Sequence, residues 1–397
     1  MVNASTTNWI SERATQLGFA IAGVARAEKF PELARQQEWL ARGYAGEMKY
    51  LTDARRTDPQ AALPGIQSVI VCALNYNTDR ARIAQALADS GAATETTGPR
   101  GWISRYAWGD DYHDVLREKL QMLLDDLREQ YPQPFEARLY ADTGPINERV
   151  LARHAGLGWL GKNTLLLNER IGSFFFLGVI LTSLDLPPTL GTSDLPPADR
   201  CGTCRKCIDA CPTDALVQPY VMDARKCISY LTIELRGAIP EHLREPIGQH
   251  VFGCDICQDV CPWNRHALVT YAQEFQPRSF AHATALAAAD QREEFSLHEK
   301  NGDSETLFLP RLEWLASLSP SDFSEMFRGS PIRRTKWQGL IRNVCIALGN
   351  SKLPHDSSVV QRISSVLTRL AASPNMVISE SAQWALSRIQ TNAASPS

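Results

Sequence analysis

The chain has 397 residues, 44% of them apolar, and a formal net charge of −3. That length exceeds one compact core and points to two or three domains, while near-neutral charge excludes a protein held to nucleic acid by overall basicity, leaving only local patches for such contact. No apolar run reaches the ~18 residues of a membrane span, and Met1–Ala20 lacks an apolar signal core, so the expectation is a cytoplasmic protein in a reducing compartment.

Residues 1–190 alternate helical and strand-like segments. Trp9 to Leu17 and Pro31 to Arg42 read as helices. Ser68 to Leu74 is a continuous apolar, β-branched run, the pattern of a buried strand. Asp89 to Arg100 is a small, polar loop. Asp114 to Tyr131 reads as an amphipathic helix with Leu116, Leu120, Leu123, Leu124 and Leu127 on one face. Phe135 to Tyr140 and Phe174 to Leu181 are further strands. Four prolines (Pro187, Pro188, Pro196, Pro197) mark residues 185–200 as a linker.

The cysteines come next. Cys201, Cys204, Cys207 and Cys211 form C-x2-C-x2-C-x3-C followed by Pro212; Cys254, Cys257 and Cys261 precede Pro262, and Cys227 lies between the runs. Eight thiols are the ligand count of two [4Fe–4S] clusters, and in two-cluster ferredoxins the fourth cysteine of each run serves the other cluster. Read so, one cluster takes Cys201, Cys204, Cys207 and Cys261. The other takes Cys211, Cys254, Cys257 and, because the second run lacks its first cysteine, Cys227. Structural zinc favours two separated C-x2-C pairs, which this is not. Cys72 and Cys345 stand alone in apolar surroundings, as core residues do.

Beyond the clusters the chain is helical. Trp337, Leu340, Ile341, Val344 and Leu348 recur at helical spacing and Gly349-Asn350 stops them. Val359, Ile363, Val366, Leu367 and Leu370 repeat the pattern, and Ala382, Ala385, Leu386 and Ile389 give a third helix before a frayed tail from Thr391. The succession looks HEAT-like but is too short for a free-standing solenoid.

Two features need weighing. Gly156-x-Gly158-x-x-Gly161 matches a dinucleotide fingerprint literally, but Arg149 to Ala155 reads as a helix where a strand is required, and no acidic residue follows at the right distance. The glycines still permit close backbone approach. Asp142 falls at the C-terminal end of a predicted strand, before Gly144-Pro145. Sites form at such strand ends in α/β folds, although an Asp capping the next helix is the plainer reading of the residue type.

The combination of Arg105-Tyr106, Gly109, Asp111-Tyr112-His113, Asp142, Ala155-Gly-Leu-Gly-Trp159, Gly161-Lys162, Gly172-Ser-Phe174, Cys227 to Glu234, Gly253 to Gln258 and the two cysteine runs resembles the epoxyqueuosine reductases over nearly the whole chain. The resemblance implies an α/β cobalamin-binding domain like that of reductive dehalogenases (1–190), a ferredoxin-like two-cluster domain (191–275) and an all-α HEAT-like region touching tRNA (276–397). It implies reduction of the epoxide of epoxyqueuosine, at the tRNA wobble position, to the alkene of queuosine.

Cobalamin would be bound base-off and fed one electron at a time by the clusters. No complete D-x-H-x-x-G signature is present, since Asp111-x-His113-x-x-Leu116 lacks its glycine. By the resemblance Asp142 is the proton donor, and burial against the corrin would raise its pKa. Arg56, Ser104, Tyr106, Asp142, Gly158, Lys162, Asn163, Ser229 and Asp255 are the implied cobalamin contacts. Arg236, Arg333, Arg334, Lys336 and Arg342 are candidate tRNA phosphate contacts. An unidentified low-potential donor would supply electrons, and a monomer is expected. A reductive dehalogenase of the same architecture and a ferredoxin-type carrier are the competing readings; some 190 residues ahead of the clusters fit the carrier poorly.

Overall fold

The computed structural model describes residues 4–89, 98–191, 194–280, 305–353 and 358–394. Residues 90–97 of the polar loop and 395–397 of the tail lie outside them. The chain divides into two compact units. The first comprises Met1–Asp79, Asp111–Arg225 and Ile256–Ala272; the second comprises Arg80–Asp110, Lys226–Asp255 and Gln273–Ser397.

The first unit is built on four strands, β1 (Ile21–Arg26), β2 (Ser68–Asn75), β3 (Ala137–Ala141) and β4 (Phe175–Thr182), in the order β1-β2-β4-β3. Every pairing is antiparallel, with Val71 opposite Gly23 and Val179, and Tyr140 opposite Val179. The apolar run of β2 is a buried strand, as its pattern implied. It is apolar on both faces because it is central and covered on both sides, which the direction of its neighbours does not alter. One face packs on helix α3 (Glu148–His154) through Val69, Val71, Val179, Leu181, Leu151 and Ala152. The other carries helices α1 (Ala4–Gln16) and α2 (Tyr112–Gln130). The five leucines of α2 expected on one face are all buried, each stabilising the fold by ~1.5–3 kcal/mol. A side chain at Gly178 of β4 would meet Leu116 and Leu120, which fixes how closely α2 lies on the sheet.

The glycine-rich segment is not a dinucleotide site. α3 precedes it as expected, and Trp159–Leu160 pairs with Leu166–Leu167 in a short hairpin. A Cβ at Gly158 would lie 2.0 Å from the Leu167 carbonyl oxygen. The close approach that this glycine permits is thus used by the hairpin itself.

The second unit rests on helices α4 (Lys336–Gly349), α5 (Ser358–Ala371) and α6 (Met376–Ala394). Residues 340–349 are buried throughout, because α4 is enclosed, whereas α5 buries only its stripe of Val359, Ile363, Val366, Leu367 and Leu370. Trp102–Ile103 pairs in parallel with His250–Phe252 in the same unit. No helix among the described residues is long and apolar enough to cross a membrane.

Candidate active site

Asp142 directly follows the edge strand β3, in the left-handed region at φ 61°. Non-glycine residues adopt that conformation sparingly, and it clusters where surroundings enforce it for function. Here the chain folds back on Tyr140, whose ring a side chain at Gly144 would strike at 2.4 Å. The Asp142 backbone N–H donates to Glu148 Oε1 at 2.8 Å. Its carboxylate, 60% exposed, accepts the Tyr112 hydroxyl at 2.6 Å, and the Tyr112 ring is held flat on Phe176 of β4, centroids 4.2 Å apart.

His113 completes the group. Its Nδ1 lies 2.7 Å from Asp111 Oδ1 and its Nε2 3.6 Å from Asp142 Oδ2. A carboxylate at each ring nitrogen calls for a proton on both, which is the imidazolium. Desolvation opposes that charge, but Asp111 and Asp142 outweigh it and raise the His113 pKa to about 9. Asp142 behaves in the opposite sense to the expectation from sequence. Desolvation pushes its carboxyl up, yet the facing His113 imidazolium, the hydrogen bond from Tyr112 and the nearby Arg56 charge hold it below the usual carboxylate range. Proton storage falls instead to its neighbours. Burial, with the Asp142 charge adding to it, pushes Glu148 up to about 8. His113 stood in the Asp111-Tyr112-His113 motif without an assigned role, and Glu148 was not singled out from the sequence.

Beside Asp142 opens a cavity of about 370 Å³ lined by Lys49, Arg55, Arg56, Thr143 and Pro145 among others. Arg56 is anchored there by donating to the carbonyls of Tyr50 and Ile146.

The remaining expected cofactor contacts separate. Ser104 and Asp255 are buried, with the Ser104 hydroxyl donating to Asp255 at 2.5 Å and Trp102 Nε1 and the Arg105 N–H donating to the same carboxylate. These contacts engage both carboxylate oxygens, so the pair ties the second unit together. Tyr106, in the same unit, leans on Phe252. Ser229 stands in the short helix Ile228–Ile233. In the first unit, Lys162 Nζ donates to the carbonyls of Gly202 (2.5 Å) and Cys204 (2.9 Å), and Asn163 Nδ2 reaches the Cys257 carbonyl at 3.5 Å. Both residues therefore hold the cysteine loops.

Cys201, Cys204, Cys207 and Cys261 all belong to the first unit, and the other three bear electrostatically on Cys207. Burial pushes the thiols of Cys201 and Cys207 up. Among the described residues no three Cys, His, Asp or Glu side chains converge tightly enough to hold a single ion; a cubane sets its thiolates farther apart than one tetrahedral ion does. The environment fits a cluster in another respect. The indole N–H of Trp159, packed with Leu167, Cys261 and Cys201, is buried with no oxygen or nitrogen acceptor and faces the Cys201 sulfur. Cys211 and Cys257 lie in the first unit and Cys227 and Cys254 in the second; Cys211 Sγ accepts the Ala215 N–H.

The candidate tRNA residues divide as well. Arg333 and Lys336 are exposed, and Arg334 forms a two-pronged ion pair with Glu234. Arg236 donates to the carbonyls of Ile233 and Thr335. Arg342 is fully buried, donating to the carbonyls of Leu231, Leu235 and Gly237 and to Asn343 Oδ1. Enclosed in α4, it cannot reach a phosphate and acts as an internal clamp.

Residues 56–143 match the family model "Epoxyqueuosine reductase QueG, DUF1730", and residues 200–264 match the model "4Fe-4S double cluster binding domain". The epoxyqueuosine reductase of Pseudomonas aeruginosa is 38% identical over 383 residues, covering 96% of this chain and 93% of that protein. That of Escherichia coli K12 is 38% identical over 90% of this chain and 83% of its own. A crystal structure of epoxyqueuosine reductase with an epoxyqueuosine-modified tRNA-Tyr stem loop superposes with a TM-score of 0.76 at 30% identity, covering 97% and 90% of the two chains. A Bacillus subtilis epoxyqueuosine reductase structure, with its catalytic aspartate loop swung out of the active site, superposes with a TM-score of 0.77.

Proposed function

The chain belongs to the epoxyqueuosine reductase family, and on that premise we propose that it reduces epoxyqueuosine in tRNA with Asp142 as proton donor. Epoxide, two electrons and two protons give the alkene of queuosine and water. The observation that carries the reading is the Asp142 group itself: an exposed carboxylate at a strained strand end, gripped by Tyr112 and His113 and flanked by a cation-lined cavity.

Cobalamin, bound base-off, would supply the low-valent cobalt that delivers electrons to the substrate, and the two [4Fe–4S] clusters would feed it singly from an external low-potential donor. Cys201, Cys204, Cys207 and Cys261 would hold one cluster, and Cys211, Cys227, Cys254 and Cys257 the other. Arg56, Ser104, Tyr106, Asp142, Gly158, Lys162, Asn163, Ser229 and Asp255 are the proposed corrin contacts. Opening the epoxide puts negative charge on its oxygen, and a proton given there lowers the barrier, typically by 10²–10⁴ in rate. Asp142 rests ionised, so it must first gain that proton. His113, charged between two carboxylates, is the donor in reach, and passing its proton to Asp142 cancels opposite charges in place. Glu148, neutral near pH 7, holds a proton beside the Asp142 backbone for the second transfer, which lets the oxygen leave as water. Tyr112 fixes the direction of the carboxylate. Lys49 and Arg56 suit a phosphate flanking the modified nucleotide, whereas the Arg55 charge is already paired with Asp53.

In this reading residues 1–190 bind cobalamin, 191–275 form the two-cluster domain, and the HEAT-like 276–397 meets tRNA through Arg333, Lys336 and their neighbours. The protein works as a cytoplasmic monomer. The test is anaerobic conversion of an epoxyqueuosine-containing stem loop, scored by loss of one oxygen from the nucleoside mass. Asp142→Asn, loaded with both clusters and cobalamin, should lose at least a hundredfold in rate; a wild-type rate removes Asp142 from the mechanism. No conversion by the loaded wild type overturns the substrate.

A further inference from the structure

Trp159 buries 98% of its surface in a pocket whose other members are Leu167, Cys261, Cys201 and Trp263. Trp263 meets it edge to face, centroids 5.0 Å apart. None of these neighbours offers oxygen or nitrogen to the indole, and its N–H faces the Cys201 sulfur without reaching full hydrogen-bond geometry. A buried donor left so costs ~1–3 kcal/mol, and native structures satisfy such groups. The N–H is therefore aimed at cluster-ligand sulfur, and a seated cluster would complete its hydrogen bond. Two of the four thiols reading as one cluster's ligands pack directly against this ring. Three residues on, the Lys162 ammonium is pinned by the Gly202 and Cys204 carbonyls inside the first cysteine run. The hairpin thus aims one N–H donor and one cation at the same cluster.

We propose that Trp159 donates its indole N–H to a sulfur of the cluster held by Cys201, Cys204, Cys207 and Cys261, and that with Lys162 it raises that cluster's reduction potential. An N–H aimed at sulfur and a fixed positive charge both stabilise the more negative, reduced cluster, and hydrogen bonds to sulfur and local charge are what set such potentials. The two clusters then differ in potential by design of the chain, and the hairpin favours the reduced state of this one. Trp159 and Lys162 are positioning residues, since neither meets the substrate.

The inference rests on the two-cluster reading, which iron analysis checks separately: about eight irons per reconstituted chain sustain it, and an iron-free chain overturns it and the inference with it. The experiment is an EPR-monitored redox titration of the reconstituted holoprotein, wild type against Trp159→Phe, which keeps the ring and removes the donor. One cluster should become harder to reduce by roughly tenfold, ~59 mV for one electron, while the other stays unchanged. Lys162→Gln should move the same cluster in the same direction. Equal potentials in wild type and Trp159→Phe overturn the proposal. Should that variant fail to assemble its clusters, pulsed EPR on wild-type protein carrying 15N-indole tryptophan decides. A nitrogen coupling to the reduced cluster supports the hydrogen bond, and its absence refutes it.

Discussion

Replacing His113 by Gln tests the proton store directly. Glutamine can keep hydrogen bonds to Asp111 and Asp142 but carries no charge. The His113 pKa, raised from 6.5 to about 9 by the two carboxylates against desolvation, corresponds to roughly 3 kcal/mol of preference for the imidazolium. At pH 7.5 that keeps about 97% of His113 protonated, where an unperturbed histidine would be about 10% protonated. The charged groups that set this value are Asp111 on its own helix turn and Asp142 from across the site; Arg117 and Arg56 act on those carboxylates in turn. In the wild type, turnover should therefore hold to about neutral pH, fall as Glu148 loses its proton near pH 8, and fall again as His113 does near 9. His113→Gln should slow turnover at pH 7.5 by ~10–100-fold and lose that upper limb of the profile. The stability effect has the same sign. A raised histidine pKa stabilises the fold fully below pH 6.5, and that contribution disappears as pH climbs through about 9. The melting-temperature gap between wild type and variant should narrow across this window. The histidine resonance of the cofactor-free protein, followed by NMR, provides the direct reading. A His113 titrating near 6.5, or a variant with an unchanged pH profile, refutes the reasoning.

Two further outcomes separate folding from recognition in the second unit. Arg342→Met leaves the buried carbonyls of Leu231, Leu235 and Gly237 without their donor and should destabilise the protein by ~3–5 kcal/mol, read as a lowered denaturant midpoint; a midpoint within error of wild type would show the clamp to be dispensable. Arg333→Ala with Lys336→Ala removes two exposed cations and should leave that midpoint in place. It should weaken stem-loop binding and reduce the salt slope by about two, and an unchanged slope would take both residues off the interface.

Much of this protein was legible in its sequence because it is written in local spacing. The cysteine runs, the leucine face of Tyr112–Gln130 and the stripe of Ser358–Ala371 depend on residues a few positions apart, where helix period and ligand reach are set by the backbone alone. The helix ahead of Gly156 likewise sufficed to reject a nucleotide site. What tertiary structure decided were matters of long-range pairing and enclosure. The sheet proved antiparallel throughout, because an apolar strand records burial on both faces and not the direction of its neighbours. Arg342 and Arg333 look equally cationic in sequence, yet one lies at 0% exposure in α4 and the other in solvent. Lys162 belongs to a cysteine loop forty residues away in sequence. Asp142 could be proposed as the acid from the family resemblance. Its resting charge could not, because that depends on His113 and Tyr112, thirty residues upstream, meeting it across the first unit. A side chain's type is local; its protonation belongs to whatever the fold brings against it.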